Sequence, residues 1–541
     1  MNSRGSGMAH RGLRRLLVLA ALLFLGAGLS GCDKPAPAPV SAGSTSPAPQ
    51  AAPAPGFTIL AGSELKDLEP AIVGAARGAG VDLKISYAGT LDIVERIDGG
   101  ERFDAILPPN GAYPALALRE KVLAREKLFY SRIALGVKTA KLKALGWDKR
   151  APGWAEVARA AGDGKLSYGM TNPASSNTGM SALFAVASAL AGKTEDLAVQ
   201  DVDAKTLKTF LGGQKLTAGS SGWLAEAYMR NPSAVDAMVN YEAVILRAND
   251  KLAEADRLTL IYPRDGMISA DYPLMLLNAD RRDDYQKLVA ALKALPFQRE
   301  ALAAAFLRPA NPEAPAAPAL PSVAVAELSF PNRLEVIDAV LSAYQSQWRR
   351  PATSIFVLDL SGSMRGDRLN SMREALKLLS GAETSSASAR YAAFQSRERV
   401  ALITFSDKVA PPLWVRFEAA NIEQARADLR RKADALTAEG GTAIYSALVA
   451  AEELARQEQQ ADPDRFVSIV LLTDGESNQG LTAEQFRARY PGGTSARIFP
   501  ILFGEASPAG MRELAQISGG REFDGRHARL AQVFKEIRGY Q

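Results

Sequence analysis

TSIFVLDLSGSM, residues 353–364, begins as a nearly continuous apolar run and ends in a carboxylate, a glycine and two hydroxyls. A short run that is apolar at successive positions is the pattern of a parallel strand buried on both faces. Three more such runs follow: VALITF at 400–405, FVSIVLL at 466–472 and IFPILF at 498–503. Stretches with helical apolar spacing lie between them, at 368–379, 422–436, 443–459 and 483–489. This alternation predicts a doubly wound α/β sheet with right-handed crossovers, which binds its ligands beyond the carboxyl ends of the strands. Pro500 has no N–H to give to a ladder, so its strand is expected near an edge or bulged there.

The chemistry-bearing residues gather at those carboxyl ends. Asp359, Ser361 and Ser363 share one turn, with Gly362 permitting the tight backbone. GGT at 440–442 sets Thr442 before a helix, and TDG at 473–475 sets Asp474 just past the third strand. Neutral hydroxyls with only two carboxylates suit a hard cation that keeps waters, such as Mg²⁺ or Mn²⁺, and do not suit zinc or copper. D-x-S-x-S, then G-G-T, then T-D-G, resembles a von Willebrand factor A domain with an intact metal-ion-dependent adhesion site, over residues 350–541. The resemblance implies that Ser361, Ser363 and Thr442 hold the ion through their hydroxyls, with Asp359 and Asp474 bound directly or through water. Mg²⁺ is the expected ion, with Mn²⁺ or Ca²⁺ as substitutes. The family leaves one position on the ion for an acidic residue of a protein partner. Arg365 and Asp367 read as solvated loop charges.

The N-terminus reads as an address. Arg11, Arg14 and Arg15 precede an apolar run over 16–29, too short to span a bilayer core of roughly 30 Å, so residues 1–31 are expected as a signal peptide. The run ends LSGC, which resembles a bacterial lipobox and implies lipid attachment at Cys32. Asp33, directly after it, resembles the signal that keeps enteric lipoproteins in the inner membrane, facing the periplasm. The formal charge is +5, and four arginines unopposed by acid lie within 1–31, so the remainder carries 5 − 4 = +1. That balance gives no argument for nucleic acid. With one cysteine and two histidines, His10 and His527, thiol nucleophiles, disulfides, thiolate zinc sites and histidine triads are nearly excluded.

At 541 residues the chain exceeds one compact core. Two Pro-rich stretches, within 32–55 and at 309–321, read as extended tethers and bound a middle unit at 56–308. Residues 309–349 join it to the last domain, and Leu334, Ile337, Leu341 and Tyr344 within them predict an amphipathic docking helix. The middle unit alternates strand and helix patterns again, from FTILA at 57–61 through FYSRIALGV at 129–137 to LTLIY at 258–262. With Ala61-Gly62-Ser63, Tyr87-Ala88-Gly89-Thr90, Asn172-Pro173 with Ser175 to Gly179, and Asn240-Tyr241-Glu242, it resembles the two-lobed periplasmic solute-binding proteins, nearest the oxyanion-binding branch. The whole is expected to be α/β: a two-lobed solute-binding-protein fold followed by a Rossmann-like A domain.

Ser63, Thr90 and Thr178 each precede an apolar-periodic helix, where free amides attract anions, and with Ser175 they are candidates to hold a tetrahedral oxyanion or another small polar solute. Tyr241 and Glu242 are placed at the cleft or at its hinge, and Arg264 and Asp265 are expected to pair on a loop. The sum points to a non-enzymatic, membrane-anchored extracytoplasmic binding protein, and no general base accompanies the metal ligands. The alternative is a solute receptor of an ABC transporter with the A domain as an accessory.

Overall fold

The first lobe is a sheet in the order Leu83–Tyr87, Phe57–Ala61, Ala105–Leu107, Pro273–Leu276, Ala124–Lys127. The first three strands run parallel, and Pro273–Leu276 is antiparallel to both its neighbours. The second lobe is ordered Ser269–Ala270, Phe129–Lys138, Ala237–Tyr241, Tyr168–Thr171, Gln214–Ala218, with Leu258–Ile261 and Arg308–Pro309 also paired to Phe129–Lys138. The computed structural model describes residues 56–382, 386–526 and 529–540. The signal peptide, Cys32 and the first tether lie outside the described residues.

The chain passes between the lobes at Leu128, at Tyr272 and again before Arg308, and the Leu128 N–H donates to the Tyr272 carbonyl at 3.3 Å. Tyr272 has φ +33°, a left-handed backbone that costs a tyrosine energy. Its ring compensates by packing against Phe129 and Tyr241, with centroids 5.0 and 6.2 Å away. Glu242, fully buried beside this crossing, takes two hydrogen bonds from Arg308 and one from Tyr262. Arg264 and Asp265 do not pair with each other: Arg264 bonds Glu156, and Asp265 accepts the Trp154 N–H that opens helix Trp154–Gly162.

The last domain has one six-stranded sheet in the order Leu413–Phe417, Glu398–Phe405, Ala352–Asp359, Phe466–Thr473, Arg497–Leu502, Phe523–Asp524. Only the first of these strands is antiparallel to its neighbour. Every residue of Ala352–Asp359 is buried because helices cover both faces. Ile355 and Val357 point into a core with Ala447 and Leu448 of helix Ile444–Ala461, while Phe356 and Leu358 share the opposite core with Leu376 and Phe534. Phe523–Asp524 reaches only Ile501 and Leu502, so Pro500 lies where no ladder partner is lost on that side.

Residues 309–321 are not a free tether. Pro309 pairs with Phe129, the Ala310 and Asn311 amides donate to Gln298 Oε1, and Arg308 donates to the Pro321 carbonyl at 3.0 Å. Pro-rich backbone has few donors to satisfy, which lets it lie against a folded surface as readily as in water. Glu327 then accepts from the Ser269 amide and hydroxyl at 2.7 and 2.8 Å. Helix Leu334–Ala343 buries Val336, Ile337, Val340 and Leu341, and Tyr391 of the last domain donates to Asp338 on it. One apolar core runs from the lobes through this helix into the last domain, and the described residues form a single compact unit.

Candidate functional site

The central strand Ala352–Asp359 delivers Asp359, fully buried, to the carboxyl edge of the sheet. Its Oδ1 accepts the Ser361 N–H at 2.8 Å and its Oδ2 the Thr473 hydroxyl at 2.6 Å. The Ser361 and Ser363 hydroxyls lie 3.0 Å apart, and Ser363 donates to Asp474 Oδ1 at 2.8 Å. Ser363 is the exposed member, so the group opens to solvent there. The Gly-Gly-Thr loop is joined to this turn by backbone bonds from Gly362 N–H to the Gly440 carbonyl, 3.0 Å, and from Glu439 N–H to the Leu360 carbonyl, 2.7 Å. Gly440 has φ +84°, and a Cβ there would sit 2.6 Å from Asp407 Oδ2, so the residue must be glycine. Thr442 is buried, with its amide donating to Asn478 Oδ1 at 2.9 Å.

Burial pushes the Asp359 carboxyl up from its ordinary value, against the hydrogen bonds from Thr473 and Ser361 that pull it down. Arg368, in the first turn of helix Asp367–Leu379, bonds Asp474 Oδ2 and, like Asn478 beneath Thr442, was not among the residues singled out from sequence. Its signal was its place one turn beyond the serine loop. Two buried carboxylates thus meet one cation, while Asp359 has no ion-pair partner among the described residues. An added divalent cation fits that charge deficit, and an all-oxygen donor set is the kind Mg²⁺ takes. Among the described residues no cluster of three or more His, Cys, Asp or Glu side chains offers a rival centre.

The second candidate site is a cavity of about 730 Å³ between the lobes and the last domain. Ser63, Thr90, Ser175 and Tyr241 line it. Thr178 does not: its hydroxyl bonds that of Ser221, and its neighbours Ser176 and Asn177 face the cavity instead. Three helices begin here, Thr90–Asp98, Asn177–Leu190 and Ser221–Arg230, and none has a side-chain hydrogen bond at its N-cap. Thr90 Oγ1 and Asn177 Oδ1 are buried without a hydrogen-bond partner, and Asn177 Nδ2 donates to the Tyr241 hydroxyl at 2.9 Å. Uncapped amides and unpaired buried oxygens are costly unless water or a ligand meets them. Glu64, not anticipated from sequence, also lines the cavity, and burial pushes its carboxyl up to about 7.

The chain carries a solute-binding-protein domain followed by a von Willebrand factor A domain. Residues 57–304 match the family model for bacterial extracellular solute-binding protein, and residues 354–476 match that for von Willebrand factor type A domain. Among curated proteins, inter-alpha-trypsin inhibitor heavy chain H4 of Sus scrofa is 34% identical over 135 residues, 24% of this chain and 13% of that protein. The Homo sapiens protein of the same name is 32% identical over 180 residues, 31% of this chain and 18% of its own. The chain therefore spans less than a fifth of the curated relatives it matches. Among solved structures, the periplasmic binding protein AfuA from Actinobacillus pleuropneumoniae is 14% identical with a TM-score of 0.43, over 53% of this chain and 97% of that one. A von Willebrand factor type A protein from Catenulispora acidiphila is 21% identical with a TM-score of 0.28, over 35% of this chain and 42% of that one. No helix among the described residues is long and apolar enough to cross a membrane.

Proposed function

We propose that the chain is a non-enzymatic, lipid-anchored receptor outside the plasma membrane, in which a small-solute cleft is joined to an A domain that grips a protein partner through a divalent ion. The observation that carries the reading is the hydrogen-bonded run from Asp359 through Ser361 and Ser363 to Asp474, with its surplus negative charge at a solvent-open edge. Asp359, Ser361, Ser363, Thr442 and Asp474 are the residues that would hold the ion. When bound, Mg²⁺ supplies a coordination position for a carboxylate of the partner. The solute is a small polar molecule, with an oxyanion favoured by the three uncapped helix N-termini.

A pull-down from membranes with Mg²⁺, repeated with EDTA, tests the grip. Partner capture should be lost with EDTA and with Asp359→Ala, and capture that survives both refutes it. Incorporation of labelled palmitate that disappears in Cys32→Ser tests the anchor.

A further inference from the structure

The solute cavity has a wall that no solute-binding lobe supplies. The C-terminal helix Leu530–Arg538 of the A domain lies across its mouth and touches both lobes. On the first lobe, Lys535 pairs with Glu95 at 2.8 Å, and Gln532 and Ser388 donate to Asp92 at 3.1 and 2.8 Å. On the second, Asn172 donates to the Arg538 carbonyl at 3.4 Å and Tyr540 stacks on Trp223, with ring centroids 5.7 Å apart. Gly539 passes so close to Gly219 that a Cβ on it would lie 2.7 Å from the Gly219 Cα.

Arg521 of the A domain also lines the cavity. Its guanidinium lies 3.5 Å from the Trp223 ring centroid, in the first turn of the uncapped helix Ser221–Arg230, and it has no ion-pair partner among the described residues. Arg521 also donates to the Tyr540 hydroxyl at 3.3 Å; of the acids that line the cavity, Glu101 pairs with Arg96, Asp92 accepts from Gln532 and Ser388, and burial pushes the Glu64 and Glu536 carboxyls up. Thr90 and Asn177, whose Oγ1 and Oδ1 are buried and unpartnered, line the same cavity.

We propose that the solute cleft is a composite site: the A domain closes its mouth and supplies Arg521 as the cation that meets an oxyanion held by the helix N-termini of the lobes. Solute binding and A-domain docking are then one equilibrium. This rests on the receptor reading above, and the test separates the two.

Inorganic phosphate and sulfate are titrated calorimetrically into the full chain and its Arg521→Gln, Arg521→Lys and Thr90→Val variants. Removing a charge-assisted hydrogen bond is expected to weaken binding by at least about tenfold in Arg521→Gln, with Arg521→Lys recovering most of it. Amides of Leu530–Arg538 should exchange more slowly with the anion present. If Arg521→Gln binds within about twofold of the parent while Thr90→Val is weakened, the composite site is overturned and the receptor reading stands. If neither anion binds, the composite oxyanion site falls, and a screen of sugars and amino acids then decides the receptor reading. If the anions bind with neither variant affected, they sit outside this cleft and the composite site is overturned.

Discussion

Glu398 is the carboxylate on which the C-terminal helix hangs. It is 2% exposed and lies between two buried guanidiniums, 2.6 Å from Arg349 and 2.8 Å from Arg538, with the Gln395 amide donating to it as well. Glu398→Gln keeps the shape and removes the charge that both buried guanidiniums face. Breaking such a cluster costs roughly 3–5 kcal/mol, which in a domain of this size lowers the melting temperature by about 6–20 °C. Burial pushes the Glu398 carboxyl up, but the charges of Arg349 and Arg538 outweigh it and hold the group below its ordinary 4.5. The stabilisation is therefore complete above that value and is lost as pH falls through the lowered folded value. Urea unfolding of parent and variant, followed by tryptophan fluorescence from pH 7 to pH 3, should show a wide gap at neutral pH that narrows below about pH 4.5. A gap under about 1 kcal/mol at pH 7, or one that does not narrow with acid, refutes the reasoning.

Mg²⁺ at a hundredfold excess over its dissociation constant should stabilise the parent by about 2.7 kcal/mol and leave Asp359→Asn unmoved, which a thermal shift with and without EDTA reads directly. Arg368→Gln frees Asp474 from its cation and should tighten Mg²⁺ binding several-fold by calorimetry; weaker binding would mean that Arg368 supports the ion. Gly539→Ala drives a methyl into the Gly219 backbone and should cost about 1–3 kcal/mol, with faster amide exchange in Leu530–Arg538. The Glu64 carboxyl has its folded value raised to about 7, so the native state loses stability as pH climbs between its ordinary 4.5 and 7. Glu64→Gln should therefore match the parent at pH 4 and exceed it at pH 8 in urea, and equal midpoints at both would refute the shift.

The A-domain strands were legible because a doubly covered parallel strand is apolar at every position, and the four runs fall within two residues of the observed strands. Leu413–Phe417 and Phe523–Asp524 were not, since edge strands are short and only partly buried and carry no comparable run. Four of the five residues proposed to hold the ion were marked by oxygen chemistry next to strand ends, and the structure links them by direct hydrogen bonds, with Thr442 on a loop bonded to theirs. Arg368 escaped because a helical arginine has no pattern of its own. The cavity was half legible: Ser63 and Thr90 stand at helix starts, but whether Thr178 or Asn177 faces inward depends on helix rotation, which periodicity does not set in a helix buried on nearly all sides. The A-domain wall was invisible, because contacts across several hundred positions leave no local trace.

The strap at 309–330 changes what a movement of the lobes would do. It departs from Arg308, clamped to Glu242 beside the crossover, and is pinned again where Glu327 grips Ser269, three residues before Tyr272. Both pins sit on the pivot itself. Any rotation about Tyr272 would therefore have to carry the strap with it, and the segment is fixed to the crossing between the lobes where its proline content suggested beads on a string.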